Sequence, residues 1–236
     1  MNYWSLFSGG KDSIVTAHVL ASRSELNGLV FLDTGIATYD VLPHVKDVSQ
    51  TYDWPLKVYR TSYSYDDLVL RYGFPCTKRS HQWFMSYLKG RGIRQFKKEF
   101  PQGVLASGVR VKESISRSIS AKEWGEWEQV KVYAPILTWS DEEVWTYIRA
   151  NNLPVSPAYQ ALHISGDCLC GAFGSDEELA MLRAFYPQEY QRIIDLQFKR
   201  SEISTKHCKW GVKKKPPSCQ CETTIFPHEP EAKHES

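Results

Sequence analysis

A polar segment near the start of the chain, FSGGKDS at residues 7–13, contains the residue types that bind phosphate groups. Its two adjacent glycines can adopt positive φ and let the backbone approach an anion closely, because they carry no side chain. The hydroxyls of Ser8 and Ser13 can donate hydrogen bonds, and Lys11 supplies a positive charge. The carboxylate of Asp12 repels phosphate, so it indicates a metal ion or another role at a helix end.

The spacing within this segment differs from that of a Walker A loop. A Walker A loop has a glycine where Ser5 stands and a serine or threonine where Asp12 stands. An ordinary turn between a strand and a helix, in which Gly9 and Gly10 only form the turn, is the alternative explanation. The flanking pattern, an apolar run before the segment and an amphipathic run after it, favours a phosphate site at a helix N-terminus.

Most of the cysteines lie in the last third of the chain. They are Cys168, Cys170, Cys208, Cys219 and Cys221. Thiolates bind iron–sulfur clusters or zinc, usually with four ligands in a site. We therefore predict that Cys168, Cys170 and Cys208 bind a metal together with Cys219 or Cys221. The C-x-C spacing fits no standard zinc finger, and thiols without a metal are the third alternative.

Basic side chains form two further candidate groups. Arg110 follows a predicted strand, at the same rim as the phosphate segment, and Arg117 follows soon after. Guanidinium groups suit phosphate or sulfate, although surface arginines are the alternative. Residues 81–91 are rich in aromatic side chains that could stack a base. A core helix with a solvated basic face is the more common meaning of that pattern, and Lys89 is the best candidate within it.

Alternating strands and helices must position these residues. Strands are predicted over 3–7, 28–33, 56–59, 103–107 and 130–133, and helices over 11–23, 41–52 and 80–100. Strands separated by helices of this length indicate βαβ units and a mostly parallel sheet. The predicted fold is therefore α/β, with a doubly wound sheet.

Two capping boxes predict helices in the second half of the chain. They begin at Ser140 and at Ser175, and Pro187 suits the first turn of another helix. The helix after Ser175 is predicted to carry Leu179, Leu182 and Phe185 on its buried side. We divide the chain into a nucleotide-binding domain at 1–165, a cysteine-bearing helical module at 166–222 and a flexible tail at 223–236.

Composition excludes several classes of protein. The chain has 236 residues, of which 42% are hydrophobic, so global disorder is excluded. Its net charge of +2 is too small for a strongly basic nucleic-acid coat but leaves room for a local basic groove. No apolar run approaches the ~20 residues of a membrane span, and no signal peptide is evident. These features predict a soluble, cytoplasmic protein without a membrane partner.

Four motifs in order resemble those of one superfamily. SGGKDS is the signature of the PP-loop ATP pyrophosphatases, and FLDTG at 31–35 follows it. GVRVKESISR at 108–117 and PILTWSDEEVWTYIRANNLPVSPAY at 135–159 come next. Together they resemble the branch that contains the phosphoadenylyl-sulfate (PAPS) reductases and related DNA-phosphorothioation and sulfur-transfer proteins. The resemblance covers about residues 3–160, and four ordered motifs are far more specific than one.

This resemblance implies a nucleotide site. The β- and γ-phosphates of ATP, or the corresponding phosphates of a sulfonucleotide, would bind Ser8, Gly9, Gly10, Lys11, Asp12 and Ser13. Adenine would lie near Phe31, Asp33 and Thr34, and the segment with Gly108, Arg110 and Arg117 would face the substrate. Mg²⁺ is the expected ion. Cleavage between the α- and β-phosphates would give an adenylated substrate and pyrophosphate, with Lys11, Asp12 and Arg110 as catalytic residues.

Departures from the family pattern shape the functional prediction. PAPS reductases end in a Glu-Cys-Gly-Leu-His-type segment whose cysteine attacks the sulfonucleotide, and nothing in this chain matches it. The paired-cysteine pattern of cluster-bearing sulfonucleotide reductases is also missing. Relatives often have a cysteine near Phe84 or Met85, whereas Cys76 is not aligned with that position. Several relatives carry a [4Fe–4S] cluster on a comparable C-terminal module, so the resemblance favours iron–sulfur over zinc.

The resulting prediction is an ATP pyrophosphatase that adenylates a substrate for sulfur transfer. DNA phosphorothioation is the most attractive version of this activity. It would require a cysteine desulfurase as sulfur donor and a DNA or nucleoprotein partner. One alternative is a divergent sulfonucleotide reductase with Cys219 or Cys221 as nucleophile. The other is a scaffold that binds ATP without turnover.

Overall fold

A computed structural model describes residues 2–113 and 122–211 of the chain. Strands β1 to β6 are Tyr3–Leu6, Leu26–Asp33, Leu56–Arg60, Val104–Ala106, Trp124–Trp127 and Val130–Tyr133. Helices α1 to α9 are Lys11–Ser22, Val41–Thr51, Tyr65–Tyr72, Lys78–Met85, Arg91–Glu99, Asp141–Ala150, Pro157–Leu162, Asp176–Phe185 and Pro187–Ile203. A π-helical turn, Ser86–Gly90, joins α4 to α5, and Val111–Glu113 forms a short 3₁₀ turn.

The described strands form one six-stranded sheet in the order β3-β2-β1-β4-β6-β5. Neighbouring strands pair in parallel except β5 and β6, which pair antiparallel. The predicted α/β fold with a mostly parallel sheet is confirmed. The edge strand β5, the helix α3 and the short helix α7 were not predicted.

Local sequence signals explain several helix starts. Both predicted capping boxes are present: Ser140 Oγ accepts a hydrogen bond from the Glu143 amide, and Ser175 Oγ accepts one from Glu178, each at 3.2 Å. Pro187 occupies the first turn of α9, where its missing N–H has no intrahelical partner to lose.

One predicted core position is wrong. Phe185 is 57% exposed, whereas Leu182 in the same helix is fully buried. The last turn of α8 extends beyond the core, and Tyr186 takes the buried position instead. Its hydroxyl donates to Asp40 at 2.8 Å.

Both faces of the sheet are covered. Along β2, Leu29 and Phe31 pack into the larger hydrophobic cluster, while Val30 and Leu32 pack against α5 on the other face. This alternation follows from the two-residue period of a strand. The larger cluster also contains side chains from beyond residue 165, among them Leu169 and Trp210, so both segments of the chain share one core.

The strand order determines where the candidate site lies. β1 has β2 on one side and β4 on the other, so the chain reverses its winding direction between β1 and β4. In open α/β sheets, ligands bind outside the carboxyl ends of the strands at this point. The segments that follow β1 and β4, residues 7–10 and 107–110, therefore face each other across one crevice.

Within the described residues, no helix combines the length and the apolar character that crossing a membrane requires.

Candidate nucleotide-binding site

The phosphate loop, residues 8–13, links β1 to α1. Gly9 has φ +80°, a conformation that favours glycine, and its carbonyl accepts a hydrogen bond from the Ser156 amide at 3.0 Å. Gly10 is the N-cap of α1 and provides no side-chain cap. The first amides of α1 are therefore available to an anion, which the helix dipole also favours. Ser13 Oγ donates to the Gly10 carbonyl at 2.8 Å, which braces the turn.

Two cations and two carboxylates form a compact cluster beside this loop. Lys11 Nζ lies 3.0 Å from Asp12 Oδ2 and 2.8 Å from Asp141 Oδ1. Arg110 Nε donates to Asp12 Oδ1 at 2.7 Å, and its Nη2 donates to Asp141 Oδ1 at 3.0 Å. The side chain of Arg110 is only 2% exposed. The structure thus joins three predicted residues to a fourth, Asp141.

Asp141 was not a candidate site residue because its position at a helix start already accounts for an acidic side chain. It occupies the first turn of α6, inside the Ser140 capping box, where an acidic residue stabilises the helix dipole. Asp141 lies within the motif at 135–159, and its place in that motif is the sequence feature that could have identified it. A hydrogen bond from Lys11, the charge of Lys11 and then Arg110 lower the pKa of Asp141 below its usual value, against the effect of burial. Asp141 is therefore a carboxylate at neutral pH.

Two cavities meet at the phosphate loop. The base cavity, of about 280 Å³, lies at the ends of β1, β2 and β4, and its apolar lining includes Phe7, Val30, Phe31, Leu32, Val109 and Trp127. The phosphate cavity, of about 620 Å³, is lined by the basic side chains Lys11, Arg110, Lys112 and His163. Ser8, Asp12 and Ser13 line both. The phosphate cavity is also lined by the carboxylates of Asp12 and Asp141. A partly apolar compartment beside one rich in charged side chains suits a ligand with a flat base at one end and phosphates at the other.

The other residues predicted to bind the nucleotide have different positions. Phe31 and Gly108 line the base cavity. Asp33 accepts a hydrogen bond from the Gly35 amide at 2.9 Å and pairs with Arg60 at 3.0 Å. Thr34 donates its hydroxyl to the Asp167 carbonyl at 3.0 Å. The side chains of Asp33 and Thr34 are thus engaged with neighbouring protein groups, and Arg117 lies outside the described residues.

A half-buried ion pair lines the base cavity. Lys89, in the π-helical turn, lies 2.7 Å from Asp167. Burial acts to lower the pKa of Lys89, but the charge of the Asp167 carboxylate and the hydrogen bond to it outweigh burial, so the pKa is raised. Burial acts to raise the pKa of Asp167, and the charge of Lys89 lowers it overall. Both groups are therefore charged at neutral pH. Lys89 was a candidate from the sequence, whereas Asp167, distant in sequence, was not.

Cys168 and Cys170 lie together at a third cavity, the thiol cavity, of about 380 Å³. This cavity shares Lys89 and Trp127 with the base cavity. A hydrogen bond between the two thiols raises the pKa of Cys168 and lowers that of Cys170, which His81 lowers further against the effect of burial. The pair therefore loses one proton readily and the second with difficulty.

The described residues supply part of the predicted metal site. No three His, Cys, Asp or Glu side chains among them gather as metal ligands. Cys208 donates its thiol hydrogen to the Thr205 carbonyl at 3.2 Å, and Cys219 and Cys221 lie outside the described residues. Within the described residues, the predicted metal site is thus represented by the Cys168–Cys170 pair.

Gly108 offers a test of the geometry of the phosphate loop. A Cβ at this position would lie 2.9 Å from the carbonyl carbon and oxygen of Asp12. Because moving packed backbone costs roughly 1–3 kcal/mol, we expect Gly108→Ala to weaken ATP binding about tenfold. Titration calorimetry with a non-hydrolysable ATP analogue measures this change. Gly125→Ala is the matched control, since no atom lies within 4 Å of a Cβ there. Equal affinities for the two variants would contradict the prediction.

Comparison with known proteins gives the family. The family model of the phosphoadenosine phosphosulfate reductase domain matches residues 2–193. An uncharacterized protein of Methanocaldococcus jannaschii is 25% identical over 217 residues, which are 89% of this chain and 52% of that protein. The adenosine 5'-phosphosulfate reductase of Allochromatium vinosum is 24% identical over 68% of this chain and 63% of its own length. The chain thus spans between half and two thirds of these relatives.

A solved structure supports the fold. The PAPS reductase from Candida auris superimposes with a TM-score of 0.51 at 17% identity, over 68% of this chain and 77% of that one. At this identity the likeness concerns the fold alone. Since the family model covers most of the sequence, the chain belongs to the phosphoadenosine phosphosulfate reductase domain family, with a PP-loop fold.

Proposed function

We propose that this chain is an ATP pyrophosphatase that adenylates an acceptor and so prepares it for sulfur transfer. The observation that carries the proposal is the pairing of Asp12 and Asp141 with Lys11 and Arg110 at the phosphate cavity. Adenylation forms a bond between an acceptor oxygen and the α-phosphorus of ATP. The bond from that phosphorus to the bridging oxygen breaks, and pyrophosphate leaves with the electron pair.

The two carboxylates favour ATP with Mg²⁺ over a sulfonucleotide. Carboxylates repel an anionic substrate unless cations offset their charge, and Lys11 and Arg110, which already pair with them, would also be needed at the phosphates. Mg²⁺ is usually bound by one or two carboxylates together with substrate phosphates. Asp12 and Asp141 fit that donor set, because both carboxylates approach the same Lys11 ammonium within about 3 Å. When bound there, Mg²⁺ would neutralise charge on the phosphate oxygens.

The residues of the chain have distinct roles in this reaction. The uncapped amides of α1 and the hydroxyl of Ser8 would hold the phosphates, while the Ser13 hydroxyl keeps the turn in place through the Gly10 carbonyl. Lys11 and Arg110 would stabilise the negative charge that develops on the leaving pyrophosphate, which is the main source of catalysis in phosphoryl and adenylyl transfer. Arg110 is held in place at Nε and Nη2 by the two carboxylates. Its guanidinium therefore needs little reorganisation when the nucleotide binds.

The shared wall between the base and thiol cavities supports a sulfur-transfer step. Lys89 and Trp127 line both, so an acceptor activated near the α-phosphate would lie close to Cys168 and Cys170. A cysteine desulfurase is the proposed source of the sulfur, either directly or through a small persulfide that carries it, and DNA is the acceptor to test first. Sulfur delivered as a persulfide would displace AMP from the acceptor, with the acceptor oxygen leaving on the phosphate of AMP. A thiol reductant would then cleave the sulfur–sulfur bond, forming a disulfide and leaving the sulfur on the acceptor.

Exchange of radiolabelled pyrophosphate into ATP tests the activity. We expect exchange that requires Mg²⁺ and increases when DNA is added, and we expect no sulfite from PAPS in the presence of thioredoxin. Sulfite release without pyrophosphate exchange would instead support a divergent sulfonucleotide reductase, the activity named for several relatives. Tight ATP binding with neither product would support the scaffold alternative.

Metal analysis tests the cluster prediction separately. The four ligands of the proposed [4Fe–4S] cluster would be Cys168, Cys170, Cys208 and either Cys219 or Cys221. We expect anaerobically purified protein to contain about four irons and as much sulfide per chain. A measured content of one zinc per chain would instead indicate a zinc site. Protein that contains no metal would indicate free thiols.

A further inference from the structure

Cys76 and His207 are far apart in sequence but in contact in the fold. Cys76 lies between α3 and α4, and His207 follows α9. Cys76 Sγ and His207 Nδ1 are 2.8 Å apart. A thiol with an imidazole nitrogen within hydrogen-bond reach is the arrangement that activates cysteine nucleophiles.

The backbone holds this pair together. The Phe74 amide donates to the His207 carbonyl at 2.8 Å. Gly73 packs against His207 so closely that a Cβ at Gly73 would lie 2.5 Å from the His207 Cβ. The guanidinium of Arg200, 7% exposed, donates to the carbonyls of Leu70 and Lys206 at 2.9 and 3.4 Å. The chain segments on both sides of the pair are thereby fixed.

The pair opens onto a cavity of its own. This Cys76 cavity has a volume of about 500 Å³, and its lining includes Tyr72, Cys76, Arg79, Trp83, Phe84 and His207. It lies on the opposite side of α4 from the thiol cavity, since Ser80 and Trp83 line the former and His81 and Met85 line the latter. Cys76 is partly exposed, so a small molecule can reach its sulfur.

We propose that Cys76 is the nucleophile that takes sulfur into this protein from a small persulfide donor. The inference rests on the proposed sulfur-transfer function. The sulfur of Cys76 attacks the outer sulfur of a donor R–S–SH and forms Cys76–S–SH. The sulfur–sulfur bond of the donor breaks, and the donor leaves as R–SH after taking the proton that Cys76 gives up through His207. No oxidant or reductant is needed, because one sulfur–sulfur bond is exchanged for another and the transferred sulfur keeps its oxidation state.

The chemistry of the cavity indicates the class of donor. Arg79 provides a cation for a carboxylate, and the aromatic side chains of Tyr72 and Trp83 provide an apolar surface. A volume of about 500 Å³ suits a molecule of the size of a drug or cofactor rather than a folded partner. Persulfides of cysteine-containing peptides, which carry carboxylates, combine these properties.

The test uses the full chain, reduced and incubated with glutathione persulfide in the absence of ATP. After alkylation and trypsin digestion, Cys76 is the only cysteine in the peptide of residues 72–78. We expect the mass of one extra sulfur on this peptide. Cys76→Ser should remove the signal. Sulfur found only on the peptide that contains Cys168 and Cys170 would overturn the proposal.

Variants of His207 and Lys206 separate activation from structure. His207 has φ +54°, and asparagine tolerates this left-handed conformation, so His207→Asn preserves the backbone while shortening the side chain. We expect its rate of sulfur uptake to fall at least tenfold, since a positioned base contributes about 10²–10⁴ to such a rate. Lys206→Ala, with an exposed side chain on the same loop, should react at the wild-type rate.

The outcome can be separated from that of the proposed function. Sulfur uptake is measured without ATP, and pyrophosphate exchange is measured without a persulfide donor, so either can fail alone. Circular dichroism confirms that His207→Asn is folded. An unchanged rate in a folded His207→Asn would overturn the role assigned to the imidazole.

Discussion

Replacing Lys11 by methionine is expected to lower ATP–pyrophosphate exchange by about 10²–10³-fold, the usual effect of removing one donor that stabilises transition-state charge. The side chain of Lys11 is 7% exposed, and its ammonium lies between Asp12 and Asp141. Methionine keeps most of the buried volume but leaves two carboxylates opposed only by Arg110. Exchange assays at saturating Mg²⁺ measure the loss.

The fold of this variant should remain intact, because Arg110 still pairs with both carboxylates and Asp141, 62% exposed, is solvated by water. Lys57→Met is the matched control. Lys57, on β3, forms a partly exposed ion pair with Glu99 at the end of α5. Losing this pair should leave the exchange rate unchanged. Wild-type exchange in a folded Lys11→Met would refute the assignment of residues 8–13 to the phosphates.

Replacing Arg110 by methionine is expected to lower the free energy of unfolding by about 3 kcal/mol, the low end of the range for breaking a buried ion pair. The guanidinium is 2% exposed and bridges Asp12, which follows β1, to Asp141 at the start of α6. Its removal leaves Asp12, 23% exposed, with less compensation for its charge. Urea denaturation measures the change.

An exposed arginine provides the comparison. Arg192 pairs with Asp66 at 2.8 Å and is 46% exposed, so Arg192→Met should cost no more than about 1 kcal/mol. Equal losses for the two variants would mean that the Arg110 pairs add no more stability than an ordinary surface pair. A stable Arg110→Met without exchange activity would assign this arginine to catalysis alone.

Local signals in the sequence predicted the parts of the fold that depend on them. Apolar runs gave the parallel strands, and the capping boxes at Ser140 and Ser175 gave two helix starts. The sequence placed Arg110 beside residues 8–13 because both segments follow strands that end at the same rim, and the structure does bring Arg110 against Asp12. These features depend on residues close in sequence, where periodicity and capping act.

The hairpin of β5 and β6 was missed because its turn lacks the usual residues. Glu128 and Gln129 form the turn, with φ values of +49° and +63°. Two-residue turns of this kind normally contain glycine or asparagine, so the sequence gives no turn signal. The consequence is functional, because Trp127 at the end of β5 lines the base cavity.

Contacts between distant segments account for the remaining misses. The pairing of Lys89 with Asp167, and that of Cys76 with His207, joins residues that no local pattern connects. The π-helical turn at 86–90 interrupts what the sequence predicted as one uninterrupted helix over 80–100. Such a turn holds one extra residue, and no composition signal marks it.

Trp210 bears on how fragments of this protein should be designed. Its indole nitrogen donates to the Leu169 carbonyl at 2.8 Å, and its ring covers Gly171 and Gly174, where no Cβ would fit. The match to the family ends at residue 193, within α9. A recombinant fragment cut there would lose the indole and uncover the backbone around Cys168 and Cys170. The segment that the family model matches is therefore shorter than the segment that packs as one body.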